Sequence, residues 1–256
     1  MKTIFKFFYQ KFLNLFLPKV KDTNFNIKHY GTYYGGYDIV DDVEIKNVVS
    51  CGLGEDASFD IEIINKKNSV VYAVDPTPKS IVYYQKIREN FGSTKTESYS
   101  SDGNQSIRSY DLKNVSENNF ILVNYAIYNS SKREVKLYYP ANKNFVSTSI
   151  NKNKNYSEDF FYAKIITLDQ LIEKFLLKDI DLLKLDIEGA EIEVIKDFLN
   201  KKIFPKQIAV EFTNIRSFNF FDRLKIFLIN RRLEKNNYIL VFENKKGDFT
   251  YLFKKR

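Results

Sequence analysis

Residues 51–57 read Cys51-Gly52-Leu53-Gly54-Glu55-Asp56-Ala57, a G-x-G-x-x-A loop, and Asp75 follows 23 residues after Gly52. Glycines in such a loop let the backbone approach a ligand, and an acid at that spacing can accept both hydroxyls of an adenosine ribose. The charge beside the loop separates two ligand classes. A dinucleotide would set its pyrophosphate at the following helix N-terminus, where Glu55 and Asp56 repel it. S-adenosylmethionine instead presents a sulfonium and an ammonium, which two carboxylates suit. A second acidic group follows: Asp186, Glu188 and Glu191, then Glu211 with Asn214. Asp186, then Glu211, are the candidate general bases, because both fall at the carboxyl ends of neighbouring predicted strands, where open α/β sheets bind ligands. With Asn214 these carboxylates also offer Mg²⁺ hard oxygen ligands. His29, the sole histidine, has the ordinary pKa of a base but lies outside the predicted sheet, where packing is the commoner role. Cys51 reads as a small core residue of the first buried strand, not a nucleophile.

These groups are positioned by alternating strands and helices. The pattern predicts strands over 43–51 and 69–74 around a helix over 55–64, then a helix with Thr77 as N-cap, Pro78 at its first position and Gly92 at its stop. Residues 93–119 and 141–159 read as long polar loops. Strands over 120–128 and 134–139 suggest a hairpin around 129–131. A helix within 165–175, a strand over 182–186, a helix over 190–199, a strand over 207–212, a helix over 218–235 and a hairpin of 238–243 with 249–253 complete the chain. Repeated βα units ending in a hairpin imply a doubly wound α/β sheet, mainly parallel, with its last strand antiparallel.

The three stretches 49–60 (Val-Ser-Cys-Gly-Leu-Gly-Glu-Asp-Ala-Ser-Phe-Asp), Val74-Asp75-Pro76-Thr77-Pro78 and Leu183-Lys184-Leu185-Asp186-Ile187-Glu188-Gly189-Ala190-Glu191, in this order, resemble the FkbM-type methyltransferases. Tyr34-Gly35-Gly36-Tyr37 resembles that family's entry segment, and the resemblance runs from about His29 to the C-terminus. It implies a class I Rossmann-like fold, S-adenosylmethionine as donor, and O-methylation of sugars or other small polar metabolites. By position it assigns Gly52, Gly54 and Asp56 to the methionine end of the donor, Asp75 to the ribose, and Asn124 and Ala126 to the neighbourhood of adenine. Asp186, Glu188 and Glu191 match the acidic motif after the fourth strand of the core. Tyr34, Glu188, Glu191 and Asn214 are then expected to face the acceptor. One departure stands out: where many relatives carry histidines after the acid of strand five, this chain reads Glu211-Phe212-Thr213-Asn214.

Composition narrows the function further. The 256 residues carry a net charge of +8, but five lysines and no acid fall within 1–21, and ten basic against three acidic residues fall within 223–256. The body between is net acidic, which argues against a nucleic-acid coat, as does the lack of an Asn/Asp-Pro-Pro-aromatic motif. One cysteine implies a reducing compartment. Residues 1–20 lack a cleavage site and are interrupted by Lys2, Lys6 and Lys11, so they read as an amphipathic helix ended by Pro18, with Ile4, Phe8, Phe12 and Leu15 on one face. That face can dock on the protein's own body, on a second subunit, or on the inner face of an anionic membrane. The expected organisation is an arm and entry segment over 1–37 and a methyltransferase domain over 38–256, in the cytoplasm. The expected acceptor is a sugar hydroxyl, on a nucleotide-activated sugar or a building block of surface or capsular polysaccharide. A dinucleotide-dependent nucleotide-sugar oxidoreductase and a non-catalytic membrane- or partner-binding relative remain alternatives.

Overall fold

In the computed structural model the chain is described except for residues 1–8, 10, 21, 130–132, 143–144, 217–218, 245 and 255–256 and the side chains of 214 and 216. The runs Asn47–Cys51 (β3), Val70–Val74 (β4), Phe120–Val123 (β5), Leu182–Leu185 (β9) and Gln207–Glu211 (β10) are rich in Val, Ile and Leu, as strands buried on both faces require. They lie parallel in a seven-stranded sheet of order β11-β12-β10-β9-β3-β4-β5, where β11 is Tyr238–Glu243 and β12 is Asp248–Phe253. Only β12 runs against its neighbours, pairing antiparallel with both β10 and β11. The order reverses at β3: the chain first builds outward through β4 and β5, then returns to place β9 on the other side of β3. That reversal opens a crevice beyond the carboxyl ends of β3 and β9.

Helices cover both faces. Helix α1 (Ser58–Lys67) and α2 (Pro78–Arg88) pack with Tyr110, Leu112 and Val115 on one side. On the other lie α3 (Leu168–Phe175), α4 (Glu191–Asn200) and α5 (Phe220–Lys235), around Val194, Phe198, Ile226 and Ile229. Helix α1 starts at Ser58 rather than at 55, because Glu55 and Asp56 are still part of the loop. Gly92, at φ +86°, lies in the turn beyond α2.

Three parts of the sequence reading are corrected. Residues 120–128 are not one strand: β5 pairs with β4, and Ala126–Ile127 (β6) leaves the main sheet to run parallel to Tyr156–Ile166 (β8). The expected hairpin is absent, since Glu134–Pro140 (β7) pairs antiparallel with β8 instead. The end of the supposed loop 141–159 is therefore strand. Its charged stretch Ser157–Asp159 hid the pattern, because β8 lies outside the main sheet and exposes most of that half. The third correction is the entry segment, where Ile27–Tyr30 (β1) and Tyr37–Val40 (β2) form an antiparallel pair. Buried Gln207 holds that pair against the main sheet, accepting from the Val40 amide (2.9 Å) and donating to its carbonyl (3.1 Å). Residues 93–119 are irregular apart from a short 3-10 turn, yet they are anchored by buried Tyr110, whose hydroxyl accepts from the Ala57 amide at 2.9 Å.

The described part of the N-terminal arm is helical over 11–14, and its last turn tightens to i→i+3 bonds before Pro18. It docks on the body through Leu13, which is fully buried, and through Phe16, whose ring packs edge-on against Phe220 and Phe227. Of the predicted apolar face, Phe12 and Leu15 are exposed, Phe12 with its ring stacked on Phe220, and Ile4 and Phe8 lie outside the described residues.

Candidate active site

Strand register decides which residues meet. Cys51 pairs with Val74 and with Leu185, Val74 with Val123, and Leu185 with Val210. The residues one step beyond, Gly52, Asp75, Asn124, Asp186 and Glu211, therefore stand in one row along the carboxyl edge of the sheet.

The β3–β4 part of that row is closed on itself. Asp75 is buried, and its Oδ2 accepts from the Leu53 and Gly54 amides (both 3.0 Å) and the Ser80 hydroxyl (2.9 Å), while Oδ1 accepts from the Thr77 amide (2.8 Å). One carboxylate thus fixes the glycine loop and the first turn of α2, where Thr77 is N-cap by position but makes no side-chain cap. Gly52 sits at φ +89°, and a Cβ there would fall 1.9 Å from the Asp186 carbonyl oxygen, so the close approach of two loops demands glycine. Gly54 differs: a Cβ there would meet nothing within 4 Å, so this side of the loop faces open space. Beneath the loop, buried Lys184 donates to the Gly52 carbonyl at 2.7 Å, and its ammonium lies 5.3 Å from the Tyr37 ring centre. Asp60 is buried on the same side, and desolvation pushes its carboxyl up to about 6 against the pull of Lys184.

The β9–β10 part is crowded with like charge. Burial, then the charges of Asp186, Glu188, Glu211 and Asp56, raises the Tyr34 hydroxyl. Tyr37, fully enclosed, is raised for the same reasons, with Asp186 as hydrogen-bond partner. Glu188, at φ +51°, is raised by burial and then by Asp186. The segment that follows β7 closes over it: Ser149 donates to the Glu188 carbonyl (2.7 Å), and Tyr156 approaches its carboxylate at 3.5 Å. At the β4–β5 end of the row, an open cavity of about 530 Å³ is lined by Pro76, Ile81, Asn124, Tyr125, Tyr162, Ala163 and Lys164.

Against known families, residues 46–240 match the Methyltransferase FkbM domain. The chain belongs to this family. No curated protein matches it. Among solved structures, the crystal structure of M. jannaschii TYW2 in complex with AdoMet is 13% identical, with a TM-score of 0.27 over 92% of this chain and 86% of that one.

Within this FkbM methyltransferase domain, several expected site residues are engaged elsewhere. Asp56 does not stand open at the loop: it accepts from the Thr32 hydroxyl (2.6 Å) and the Ser58 amide (2.9 Å), tying the entry segment to α1. Glu55 turns toward Asn104, whose amide lies 3.3 Å from its carboxylate. Ala126 packs with Val135, Leu137 and Ala163 in a satellite cluster, so the cavity is lined by its neighbours Asn124 and Tyr125. Glu191 is only 3% exposed and accepts from the Gly189 amide (2.8 Å) and the Thr213 hydroxyl (3.0 Å). It links the turns after β9 and β10 and does not face an acceptor; burial pushes its carboxyl up to about 7. Asn214 lies in the 3-10 turn Thr213–Arg216, with its side chain outside the described set.

Asp186 and Glu211 stand on adjacent strands of the row, with Glu188 in the turn after Asp186 and Tyr34 in the entry segment. Among the described residues no three His, Cys, Asp or Glu side chains are grouped to hold a metal ion, so the Mg²⁺ expectation gains no support. His29 bridges the β1–β2 turn, with Nδ1 3.1 Å from Asp38 and Nε2 3.0 Å from the Thr32 carbonyl. Both partners are acceptors, so the geometry calls for the imidazolium. Cys51 is buried in β3 as expected, its thiol pushed up by burial. Lys184, Thr32, Tyr37 and Thr213 carry no role in the sequence reading. The Lys184-Leu185-Asp186 strand end, with a cation inside an apolar run, was the one available signal.

Proposed function

We propose that this domain transfers a methyl group from S-adenosylmethionine to a hydroxyl of a sugar, carried on a nucleotide or on a building block of surface polysaccharide. The open face of Gly54 beside the cavity walled by Ile81, Tyr125 and Tyr162 carries the reading. A flat base fits between those apolar and aromatic walls, with the Asn124 amide at its edge, and Oδ1 of Asp75 keeps acceptor capacity for a ribose hydroxyl. The donor supplies an electrophilic methyl on a sulfonium. The chain's own part is to orient the acceptor and take up its proton. Asp186, between Glu211 and Gly52 in the row and hydrogen-bonded to Tyr37, is the first choice of base, with Glu211 second. Glu188 and Tyr34 offer hydrogen bonds to neighbouring hydroxyls. Tyr162 at the cavity mouth continues onto Phe160 and Tyr138 along the exposed face of β7–β8, with Lys136 over the Phe160 ring at 3.5 Å. Aromatic faces suit sugar rings, and Lys136 and Lys164 suit a phosphate.

Incubation with labelled donor and a panel of nucleotide sugars and oligosaccharides tests the acceptor: label is expected in the saccharide, and transfer only to protein or nucleic acid overturns it. Calorimetry tests the donor site, since S-adenosylhomocysteine should saturate it and NAD should give no saturable heat.

A further inference from the structure

We infer that the outer face of α5, together with the docked arm, is a binding surface for an anionic membrane. The arm spends Leu13 and Phe16 on the body and leaves Phe12 45% and Leu15 69% exposed. On α5, Phe221 (66% exposed) and Leu228 (57%) lie two turns apart on one face. The two exposed sets are one patch: Phe12 stacks on Phe220 at 5.9 Å, and Phe220 touches Phe221 at 5.8 Å. An isolated exposed leucine means little, but Phe12 and Phe221 linked through Phe220, with Leu15 one turn along the arm and Leu228 two turns along α5, make an exposed apolar set uncommon on a free surface.

The rim is basic. Lys11, Lys225, Arg231 and Lys235 are all exposed on the arm or the same helix. The acids that pair with two of them are the more buried partners: Lys225 is 65% exposed against 20% for Asp222, and Arg231 55% against 19% for Glu234. Outward-facing charge is therefore positive. A helix face with large apolar residues between cations fits the boundary of an acidic bilayer, where apolar side chains enter the acyl region and lysines meet headgroup phosphates. A second copy of this chain would set two basic rims against each other. No described helix is long and apolar enough to cross a membrane, so the contact is peripheral. Asn219, which caps α5, follows Glu211 by eight residues, so the patch begins beside the end of the molecule that carries the carboxylates.

Sedimentation of the full chain with vesicles of phosphatidylcholine alone, or mixed with phosphatidylglycerol, tests this. Binding is expected only to the mixed vesicles, weakening as salt is raised. The double variant Phe221→Glu/Leu228→Glu should lose at least about tenfold in partition. Lys225→Glu and Arg231→Glu should each lose roughly fivefold. All of these should keep the unaltered affinity for S-adenosylhomocysteine, which shows that they fold. Equal binding to both vesicles, binding to neither, or variants that bind as the parent does would overturn the inference. So would a concentration-dependent dimer dissolved by Phe221→Glu/Leu228→Glu in a protein that ignores vesicles.

Discussion

The two halves of the sheet's carboxyl edge hold the same kind of residue in opposite conditions. At the β3–β4 half, Asp75 accepts four hydrogen bonds from protein donors, three on Oδ2 and one on Oδ1, and is held in place by them. At the β9–β10 half, burial and then the charge of Asp186 raise Glu188, and the charges of Asp186 and Glu211 add to burial in raising the Tyr34 and Tyr37 phenols. A carboxylate held by several protein donors fixes the loop around it. Glu188, buried near a like charge, binds a proton more tightly than an ordinary glutamate, because protonation relieves both desolvation and repulsion.

Substitutions can break or sharpen that contrast. Gly52→Ala should do the most harm, since its Cβ would meet a backbone oxygen at 1.9 Å: a loss of about 4 kcal/mol or more, or failure to fold, read by denaturant melts. Gly54→Ala, in open space at φ +59°, should cost only about 1 kcal/mol in the same melt but sharply weaken binding of S-adenosylhomocysteine. Asp75→Ala should cost about 3 kcal/mol by orphaning three amides, whereas Asp186→Asn should leave stability nearly unchanged and slow methyl transfer by about 100-fold. If Asp186→Asn unfolds the protein and Asp75→Ala merely slows it, the contrast is reversed.

Glu191 gives a pH signature. Its folded carboxyl, raised by burial from 4.5 to about 7, binds a proton more tightly than in the unfolded chain. Stability should therefore fall as pH rises from about 4.5 to about 7, by roughly 2–3 kcal/mol, and level off above. Glu191→Gln keeps an acceptor for Gly189 and Thr213 and should flatten that slope in denaturation at several pH values. The smallest effect belongs to His29, raised above 6.5 chiefly by its hydrogen bond to Asp38. Its contribution is complete below about 6.5 and lost as pH climbs through the folded value, and the group is partly exposed, so His29→Asn should cost under about 1 kcal/mol, all of it at the acidic end.

The parallel core was legible because buried strands must be apolar runs and the loops between them carry glycine and acid at fixed places. β8 was not, since a strand outside the main sheet, exposed over its first half, has no such constraint, and β1–β2 was hidden among tyrosines and glycines. In the candidate site, the positions of Asp75, Asp186 and Glu211 at the strand ends were legible. The partners of Glu55, Asp56, Ala126 and Glu191 were not, because a residue's position in a loop does not say which partner its side chain finds.

What the sequence determined alone was composition and order: which strands could be buried, where glycine was needed, and that acids follow β4, β9 and β10. Tertiary structure decided the rest. Strand register set Gly52, Asp75, Asn124, Asp186 and Glu211 in one row, and contacts with Thr32, Thr213 and Tyr156, far away in the chain, engaged Asp56, Glu191 and Glu188. The physical reason is that a carboxylate's chemistry depends on the donors and charges within a few ångströms of it, and the fold alone brings those together.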